Sequence, residues 1–243
     1  MKIASQWEQV MDAMKGNGGF ATLGFLYNNV DVSNWATKTP FASIRRIVQT
    51  NNSFFKIKPG LWGLSEQKKA IVEKFGIAEK KSEKYDLFNH SYYQGLVVEI
   101  GNIKGYSTFI PNQDKNKPFL NQSLKEVASL NEIYQFTYPE IVRRANTVDI
   151  IWFNERKLPS SFFEIEHSTD IYNSLIKFAE LQDFNSKFNI VCNIARKKEF
   201  DSKLKSKVFI DIKERIKFIS YDQISELHTN IFKYINLDKQ LNM

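Results

Sequence analysis

Two apolar, β-rich segments that lie close together in the chain constrain its fold more than any other feature. They span residues 147–153 and 161–167, and a short polar stretch at 154–159 joins them. Apolar segments of this length on either side of a turn predict the two strands of a hairpin. We therefore expect a sheet with this hairpin in its interior.

Three carboxylates interrupt these apolar segments. Asp149 belongs to the first, and Glu164 and Glu166 lie two positions apart in the second, so that both point to one face of a strand. Burying carboxylates costs free energy unless a cation or a donor compensates. Three converging carboxylates suit Mg²⁺, which could activate water and stabilise charge on a phosphodiester. In the alternative, Phe163 and Ile165 point inward and the Glu164 face meets solvent.

The remaining pattern of residues 86–243 predicts a mixed α/β domain, with a sheet flanked by helices. Strands are predicted at 96–100, 107–110, 189–194 and 217–221, and helices at 119–130, 139–144, about 168–184 and 224–235. The single cysteine, Cys192, excludes an intramolecular disulfide and a cysteine-rich zinc site.

The first third of the chain predicts three helices followed by a hairpin. Ser5 and Glu8 have the spacing of a capping box, a second helix is expected at 22–28, and Pro40 suits the start of a third. Residues 53–64 have the pattern of two short strands around a Pro-Gly turn. Together these elements predict a winged helix-turn-helix.

This arrangement resembles the bacterial helix-turn-helix modules that are often fused to restriction and chromatin-associated proteins. The resemblance implies that the third helix enters the major groove of DNA and that the wing touches phosphates. The candidate DNA-binding residues are Ser43, Arg46 and Gln49 for reading bases, Arg45 on the polar face of the same helix, and Lys38, Lys56 and Lys58 for the backbone. The alternative is a winged helix that docks a protein.

The positive charge of the chain lies almost entirely in its first third. Residues 1–84 carry 13 Lys and Arg against 7 Asp and Glu, whereas residues 85–243 carry 21 against 20. Lys and Glu alternate at the end of the first stretch, which indicates a solvated helix or a linker. We therefore expect a winged helix DNA-binding domain at 1–65, a charged linker at 66–85 and a larger domain at 86–243.

The carboxylates of the hairpin resemble the motif of the PD-(D/E)XK nucleases. Asp149 precedes Glu164-Ile165-Glu166 by fifteen positions, and the order of helix, hairpin, helix and strand is similar to that of the restriction-endonuclease-like fold. The resemblance implies that Asp149 and Glu164 hold Mg²⁺ and act in catalysis with Glu166. Glu166 replaces the usual lysine, as in the Glu-x-Glu variant of type II restriction enzymes, where it would orient or deprotonate the attacking water.

Further residues are candidates for auxiliary roles at this site. Lys177 on the following helix, or Lys115, would supply the missing amine. Glu140 and Glu99 are candidates for a further acidic ligand. His167 would orient a neighbour or donate to a phosphate; alternatively it is simply hydrogen-bonded.

The sequence thus predicts a Mg²⁺-dependent type II restriction endonuclease that cuts double-stranded DNA as a homodimer. No apolar run approaches the roughly 20 residues of a membrane span, and residues 1–6 lack the apolar core of a signal peptide. We therefore expect a cytoplasmic protein without a membrane partner. The alternatives are a non-catalytic DNA-binding regulator on a decayed nuclease fold, and a modification-dependent nuclease with Trp35 and Trp62 as an aromatic cage.

Overall fold

The computed structural model describes residues 4–78 and 82–241, and the chain divides into two compact units. The first unit comprises Met1–Ser82 together with Ser225–Met243, and the second comprises Glu83–Ile224. None of the helices within the described residues combines the length and the apolar character that a membrane crossing demands.

The first unit packs helices on a small antiparallel sheet. Its elements are α1 (Gln6–Gly16), β1 (Phe20–Thr22), α2 (Leu23–Asn29), α3 (Pro40–Thr50), β2 (Phe54–Lys58), β3 (Leu61–Leu64), a 3₁₀ turn (Ser65–Gln67) and α4 (Lys68–Lys74). The strands lie in the order β1-β3-β2, and both neighbouring pairs are antiparallel. Apolar residues of α1, α2, α3 and the sheet form one buried core.

Local signals in the sequence explain where these helices begin. The Glu8 carboxylate accepts a hydrogen bond of 2.7 Å from the backbone N–H of Ser5, which completes the predicted capping box of α1. Pro40 occupies the first turn of α3, where its missing N–H is not needed. Strand β1 was not among the predicted elements. Its three residues are all buried, so it carries no alternating pattern.

The second unit is built on a five-stranded sheet. Its helices are α5 (Glu83–Ile103), α6 (Leu124–Val127), α7 (Pro139–Ala145), α8 (Ile171–Ala179) and α9 (Lys197–Leu204), and its strands are β4 (Ser107–Phe109), β5 (Pro118–Phe119), β6 (Gln122–Ser123), β7 (Ile150–Phe153), β8 (Pro159–Glu166), β9 (Lys187–Cys192) and β10 (Ile216–Ser220). This unit also contains three 3₁₀ turns, at Ile194–Arg196, Lys207–Phe209 and Lys213–Arg215, which lie between β9 and β10. Helix α10 (Tyr221–Leu241) begins in this unit, and from Ser225 onward its residues belong to the first.

The sheet of the second unit is mixed and has the strand order β10-β9-β8-β7-β4. Strands β8, β9 and β10 run parallel, whereas β7 is antiparallel to both β8 and β4. Ile150 pairs with Phe163 in the β7–β8 hairpin, which brings the preceding Asp149 level with Glu164. The prediction of a mixed sheet flanked by helices is confirmed.

The hairpin is covered on both faces. All four residues of β7 are buried, and so are seven of the eight residues of β8. Phe163 and Ile165 are buried, as an alternating strand requires, but Glu164 and Glu166 are buried as well. The alternative in which the Glu164 face meets solvent is therefore wrong.

The strand predicted at 96–100 is wrong, because these residues lie inside α5. This helix is buried on nearly all sides, so its apolar run shows no helical periodicity and resembles a buried strand. Its glycines allow close packing: a Cβ atom on Gly95 would lie 2.1 Å from the ring of Phe119, and one on Gly101 would lie 2.5 Å from the indole nitrogen of Trp152.

The helix predicted at 119–130 is also largely wrong. Only α6 forms there, and it is preceded by the short hairpin of β5 and β6. Leu120 has a φ of 57° in the turn of that hairpin, a left-handed conformation that a right-handed helix does not contain.

The stretch predicted as a charged linker, 66–85, contains regular structure. It includes α4, whose Ile71 is buried, and the first residues of α5. Residues 79–81 of that stretch lie outside the described residues. The compact units and the predicted domains are thus divided at different positions, and the domain boundaries stay a prediction.

Candidate active site

Asp149 directly precedes β7 and is held by two other elements of the second unit. Its Oδ2 atom accepts a hydrogen bond of 2.7 Å from the backbone N–H of Ile165 in β8. Its main-chain oxygen accepts one of 2.9 Å from Nε2 of Gln94 in α5. Asp149 is 9% exposed. These contacts hold the carboxylate beside β8.

Glu164 lies in β8 and is paired with Lys177 of α8. The Nζ atom of Lys177 is 2.9 Å from both carboxylate oxygens, and it also donates a hydrogen bond of 3.0 Å to the main-chain oxygen of Thr147. Glu164 is only 3% exposed. A buried carboxylate without a partner would cost several kcal/mol, so the amine of Lys177 compensates Glu164 directly.

Glu166 is the next residue of β8 on the same face. It accepts hydrogen bonds from the hydroxyls of Thr169 and Ser174, and Nη1 of Arg196 lies 4.0 Å from its Oε2 atom. The Ser174 hydroxyl is also 3.0 Å from Oε2 of Glu164. Ser174 thus links the two glutamates, and because a hydroxyl has one proton, it can donate to only one of them at a time.

A pocket of about 230 Å³ opens beside these side chains. Its lining includes all three predicted carboxylates and Lys177, and the full set is His90, Asp149, Glu164, Ile165, Glu166, Thr169, Asp170, Asn173, Ser174 and Lys177. The structure therefore brings together side chains from α5, the β7–β8 hairpin and α8 around one concave surface.

Burial and mutual repulsion govern the charges in this pocket. Burial raises the pKa of the Asp149 carboxyl, although the neighbouring His90 opposes the change. Burial also raises the pKa of Glu164 well above its usual range, and the charge of Asp149 adds to the effect while Lys177 opposes it. Both carboxyls are thus harder to ionise in the pocket than in water, mainly because they are buried.

Sequence reasoning missed two further residues at this site, His90 and Asp114. The Nε2 atom of His90 lies 3.7 Å from an oxygen of Asp114 and 3.7 Å from Oδ2 of Asp149, and these ligand atoms are grouped within 4.8 Å of one another. His90 and Gln94 lie one turn apart in α5, and Gln94 donates a hydrogen bond of 2.8 Å to Asp114. Only the fold brings them together, since their sequence spacing matches no metal motif.

Asp114 and His90 influence each other's protonation. Burial alone would raise the pKa of Asp114, but the adjoining His90, Lys117 and Gln94 side chains lower it to about 2. Burial alone would lower the pKa of His90, whereas Asp149 and Asp114 raise it above its usual value. Lys117 completes the group, because its Nζ atom lies 2.5 Å from Asp114.

The residues of the pocket fit a divalent cation. Carboxylate oxygens are the ligands that Mg²⁺ prefers, and two of the carboxylates are buried with raised pKa values that a cation would lower. Asp149 and Glu164 both line the pocket. Lys177 pairs with Glu164, whereas among the described residues the ion-pair partner of Asp149 is the His90 imidazole and not an ammonium group.

The other candidates for auxiliary roles lie elsewhere. Lys115 donates hydrogen bonds to Asn112 and to the main-chain oxygen of Asn131, and it does not line the pocket. Glu140 is exposed in α7, and Glu99 lies half-buried within α5 rather than at a strand end. His167 contacts Asp86, with 3.1 Å between Nε2 and Oδ1.

The predicted DNA-binding residues lie mostly on exposed positions of the first unit. Arg45, Arg46 and Gln49 are exposed on α3, Ser43 is half-buried there, and Lys38 and Lys56 are exposed before α3 and in β2. Lys58, at the end of β2, is only 8% exposed and is less accessible than the other candidates, so its contact with a phosphate stays a prediction.

The two tryptophans considered for an aromatic cage are both buried in the core of the first unit. The indole N–H of Trp35 donates a hydrogen bond of 2.9 Å to the side chain of Gln9. Trp62 lies in the central strand of the sheet. Neither ring offers an open face for a methylated base.

Comparison with known proteins shows the family. A family model of the C-terminal domain of the type II restriction enzyme NmeDI matches residues 73–241. The type II restriction enzyme NmeDI of Neisseria meningitidis serogroup C is 28% identical over 102 residues, which cover 39% of this chain and 28% of that enzyme. No solved structure matches the chain. Because the family model spans more than half of the chain, the protein belongs to the family of the NmeDI C-terminal domain of type II restriction enzymes.

Proposed function

We propose that this protein is a Mg²⁺-dependent DNA endonuclease, of the type II restriction class, that hydrolyses phosphodiester bonds. The observation that carries the proposal is the convergence of Asp149, Glu164 and Lys177 on one pocket beside a mixed sheet. Two acids and an amine at adjoining strand and helix positions are the elements of a PD-(D/E)XK site. Membership of a restriction enzyme family supports the same reading.

Asp149 and Glu164 are the residues that would hold Mg²⁺. Both are buried, both line the pocket, and the charge of Asp149 is among the causes that raise the pKa of Glu164. When bound, the ion supplies Lewis-acid stabilisation of the negative charge that develops on the scissile phosphate.

Lys177 takes the role of the lysine that is absent from the strand motif. Its ammonium reaches Glu164 from α8, so the amine comes from a helix and not from the strand that carries the glutamates. From there it would stabilise negative charge on the phosphate and orient the attacking water. Lys115 does not compete for this role, since it is bonded to Asn112 and Asn131.

Glu166 is the group proposed to accept the proton of the attacking water. Its two oxygens receive hydroxyl donors from Ser174 and Thr169, which hold the carboxylate toward the pocket. A hydroxyl can rotate away as the proton arrives, so these contacts position Glu166 without blocking it.

The first unit would bind the DNA duplex as a winged helix. The order α1-β1-α2-α3-β2-β3 and the sheet order β1-β3-β2 support this assignment. Helix α3 presents Arg45, Arg46 and Gln49 to solvent and carries no acidic residue. Such a face suits insertion into the major groove. Because one catalytic site cuts one strand, we propose that a homodimer cleaves both strands of double-stranded DNA.

The proposal is tested by cleavage of supercoiled plasmid, methylated and unmethylated, with Mg²⁺. We expect wild-type protein to produce nicked or linear DNA, and Asp149→Ala and Glu164→Ala to leave it intact. Glu214→Ala serves as the matched control, because this carboxylate is exposed and lies outside the pocket. Intact plasmid of both kinds with the wild-type protein would favour a non-catalytic DNA-binding regulator instead.

A further inference from the structure

The His90 imidazole faces two carboxylates at a spacing wider than an ordinary hydrogen bond. Its Nε2 atom is buried, and no group of the described residues lies within hydrogen-bond distance of it. Oxygens of Asp149 and Asp114 are each 3.7 Å away. That separation is too long for a hydrogen bond, and it gives an ion pair with the carboxylates only when the imidazole is protonated.

A cation between these atoms would account for the spacing. Two atoms that ligate one ion are separated by about 3–4 Å, because each bond to a divalent metal is about 2.0–2.2 Å long. The distance of 3.7 Å between His90 Nε2 and Asp149 Oδ2 falls in this range. Asp149 Oδ2 already accepts the N–H of Ile165, and a carboxylate oxygen has a further lone pair available.

Asp114 is suited to a supporting role rather than to direct ligation. One of its oxygens faces Lys117 at 2.5 Å, and the other accepts the amide of Gln94. Lys117 therefore neutralises much of its charge. The Asp114 oxygen that accepts the amide also lies 3.7 Å from the same Nε2 atom of His90, so Asp114 would add negative charge beside the ion rather than orient the imidazole through the second ring nitrogen.

We infer that His90 is a direct metal ligand which, with Asp149, makes this site bind Mn²⁺ or Co²⁺ more tightly than Mg²⁺. A nitrogen ligand adds affinity for first-row transition ions, more for Co²⁺ than for Mn²⁺, whereas Mg²⁺ is bound by oxygen ligands. The inference rests on the proposed function, because it places the imidazole on the same ion that Asp149 and Glu164 hold. It also adds a ligand from α5, outside the strand motif. A proton and the cation would compete for Nε2, since the same carboxylates attract both.

The test is electron paramagnetic resonance of Mn²⁺ added to the full-length protein. The loss of the free Mn²⁺ signal gives the dissociation constant, and pulsed measurements detect the hyperfine coupling of a directly bound nitrogen. We expect nitrogen coupling in the wild type. In His90→Ala the coupling should be lost and the Mn²⁺ dissociation constant should rise at least about tenfold, while competition with Mg²⁺ should show a change in Mg²⁺ affinity below about threefold.

The matched control is His228→Gln, which removes a histidine of the first unit and should leave both the coupling and the Mn²⁺ affinity unchanged. Wild-type protein that binds Mn²⁺ without nitrogen coupling would overturn the inference, and so would coupling that persists in His90→Ala. The wild-type measurement needs no variant, so a folding defect in His90→Ala does not prevent the test.

The Asp149→Ala variant separates this inference from the proposed function. If Mn²⁺ binding depends on Asp149 but shows no nitrogen coupling, the role of His90 is wrong and the proposed nuclease site stands. If the wild type binds neither Mn²⁺ nor Mg²⁺, both the inference and the metal dependence of the proposed function are wrong.

Discussion

The Lys177 ammonium lies 2.9 Å from both carboxylate oxygens of Glu164, across the gap between α8 and β8. The two residues are thirteen positions apart, and the fold joins them in the pocket that also contains Asp149. On the proposed function, Lys177 is the residue that supplies the amine of the site.

Replacing Lys177 by Met should lower the cleavage rate by about 10²–10³-fold, since removal of one electrostatic donor from a transition state has effects of that size. The affinity for Mg²⁺ should be retained or increase, because the ammonium no longer repels the ion near Glu164. Single-turnover cleavage and calorimetric Mg²⁺ titration measure the two effects separately. Lys217→Met is the control, as this exposed lysine lies in β10. Equal loss of both quantities would assign Lys177 to metal binding rather than to the reaction.

Replacing Asp149 by Asn should raise the melting temperature of the metal-free protein and abolish cleavage. Burial raises the pKa of this carboxyl, so the ionised form opposes folding, whereas the amide oxygen of Asn can still accept the N–H of Ile165. A rise of about 2–4 °C is expected, the shift that about 1 kcal/mol produces in a chain of this size. Thermal denaturation in EDTA measures it. A lower melting temperature would show that the Asp149 charge is compensated within the protein.

Replacing Glu166 by Gln should slow cleavage by about 10²–10⁴-fold, the contribution of a general base. The amide retains an acceptor for Ser174 or Thr169, so the fold should be preserved. Mg²⁺ affinity should change little if Glu166 acts on the water rather than on the ion. Single-turnover cleavage together with calorimetric Mg²⁺ titration provides the check: the rate should fall while the affinity for Mg²⁺ is retained. A large loss of Mg²⁺ affinity would make Glu166 a ligand instead.

Replacing Lys56 by Ala should reduce the salt dependence of DNA binding. If Lys56, which is exposed in β2, neutralises one phosphate, the slope of log K against log salt should fall by about 0.9. Gln49→Ala is the informative comparison, because a neutral base-reading side chain on α3 releases no counterion and should change sequence preference with an unchanged slope. Fluorescence anisotropy at several salt concentrations measures both. An unchanged slope in Lys56→Ala would remove the β2–β3 hairpin from the phosphate contacts.

Much of the fold could be predicted because its signals are local. The capping box at Ser5 and Glu8, the proline at the start of α3 and the apolar β7–β8 hairpin all act over a few residues. Helix α5 could not be identified at 96–100, because burial on all sides erases the periodicity that distinguishes a helix from a strand.

The residues of the candidate site likewise fall into two groups, those that the sequence alone identifies and those that only the fold brings to the pocket. Asp149, Glu164 and Glu166 stand out because carboxylates in apolar strands need compensation, and that argument requires only the sequence. Lys177 was one of two lysines considered, and only the packing of α8 on β8 distinguishes it from Lys115. His90 could not be found, since its position at the pocket depends on how α5 lies against the sheet.

The most direct test of the central claim is the cleavage rate as a function of Mg²⁺ concentration, measured together with Mg²⁺ affinity in the wild type, Asp149→Ala and Glu164→Ala. If these two carboxylates hold the ion that the reaction needs, both variants should lose Mg²⁺ affinity and cleavage together, and EDTA should abolish cleavage by the wild type. Cleavage in EDTA, or variants that cut with the wild-type dependence on Mg²⁺, would contradict the account.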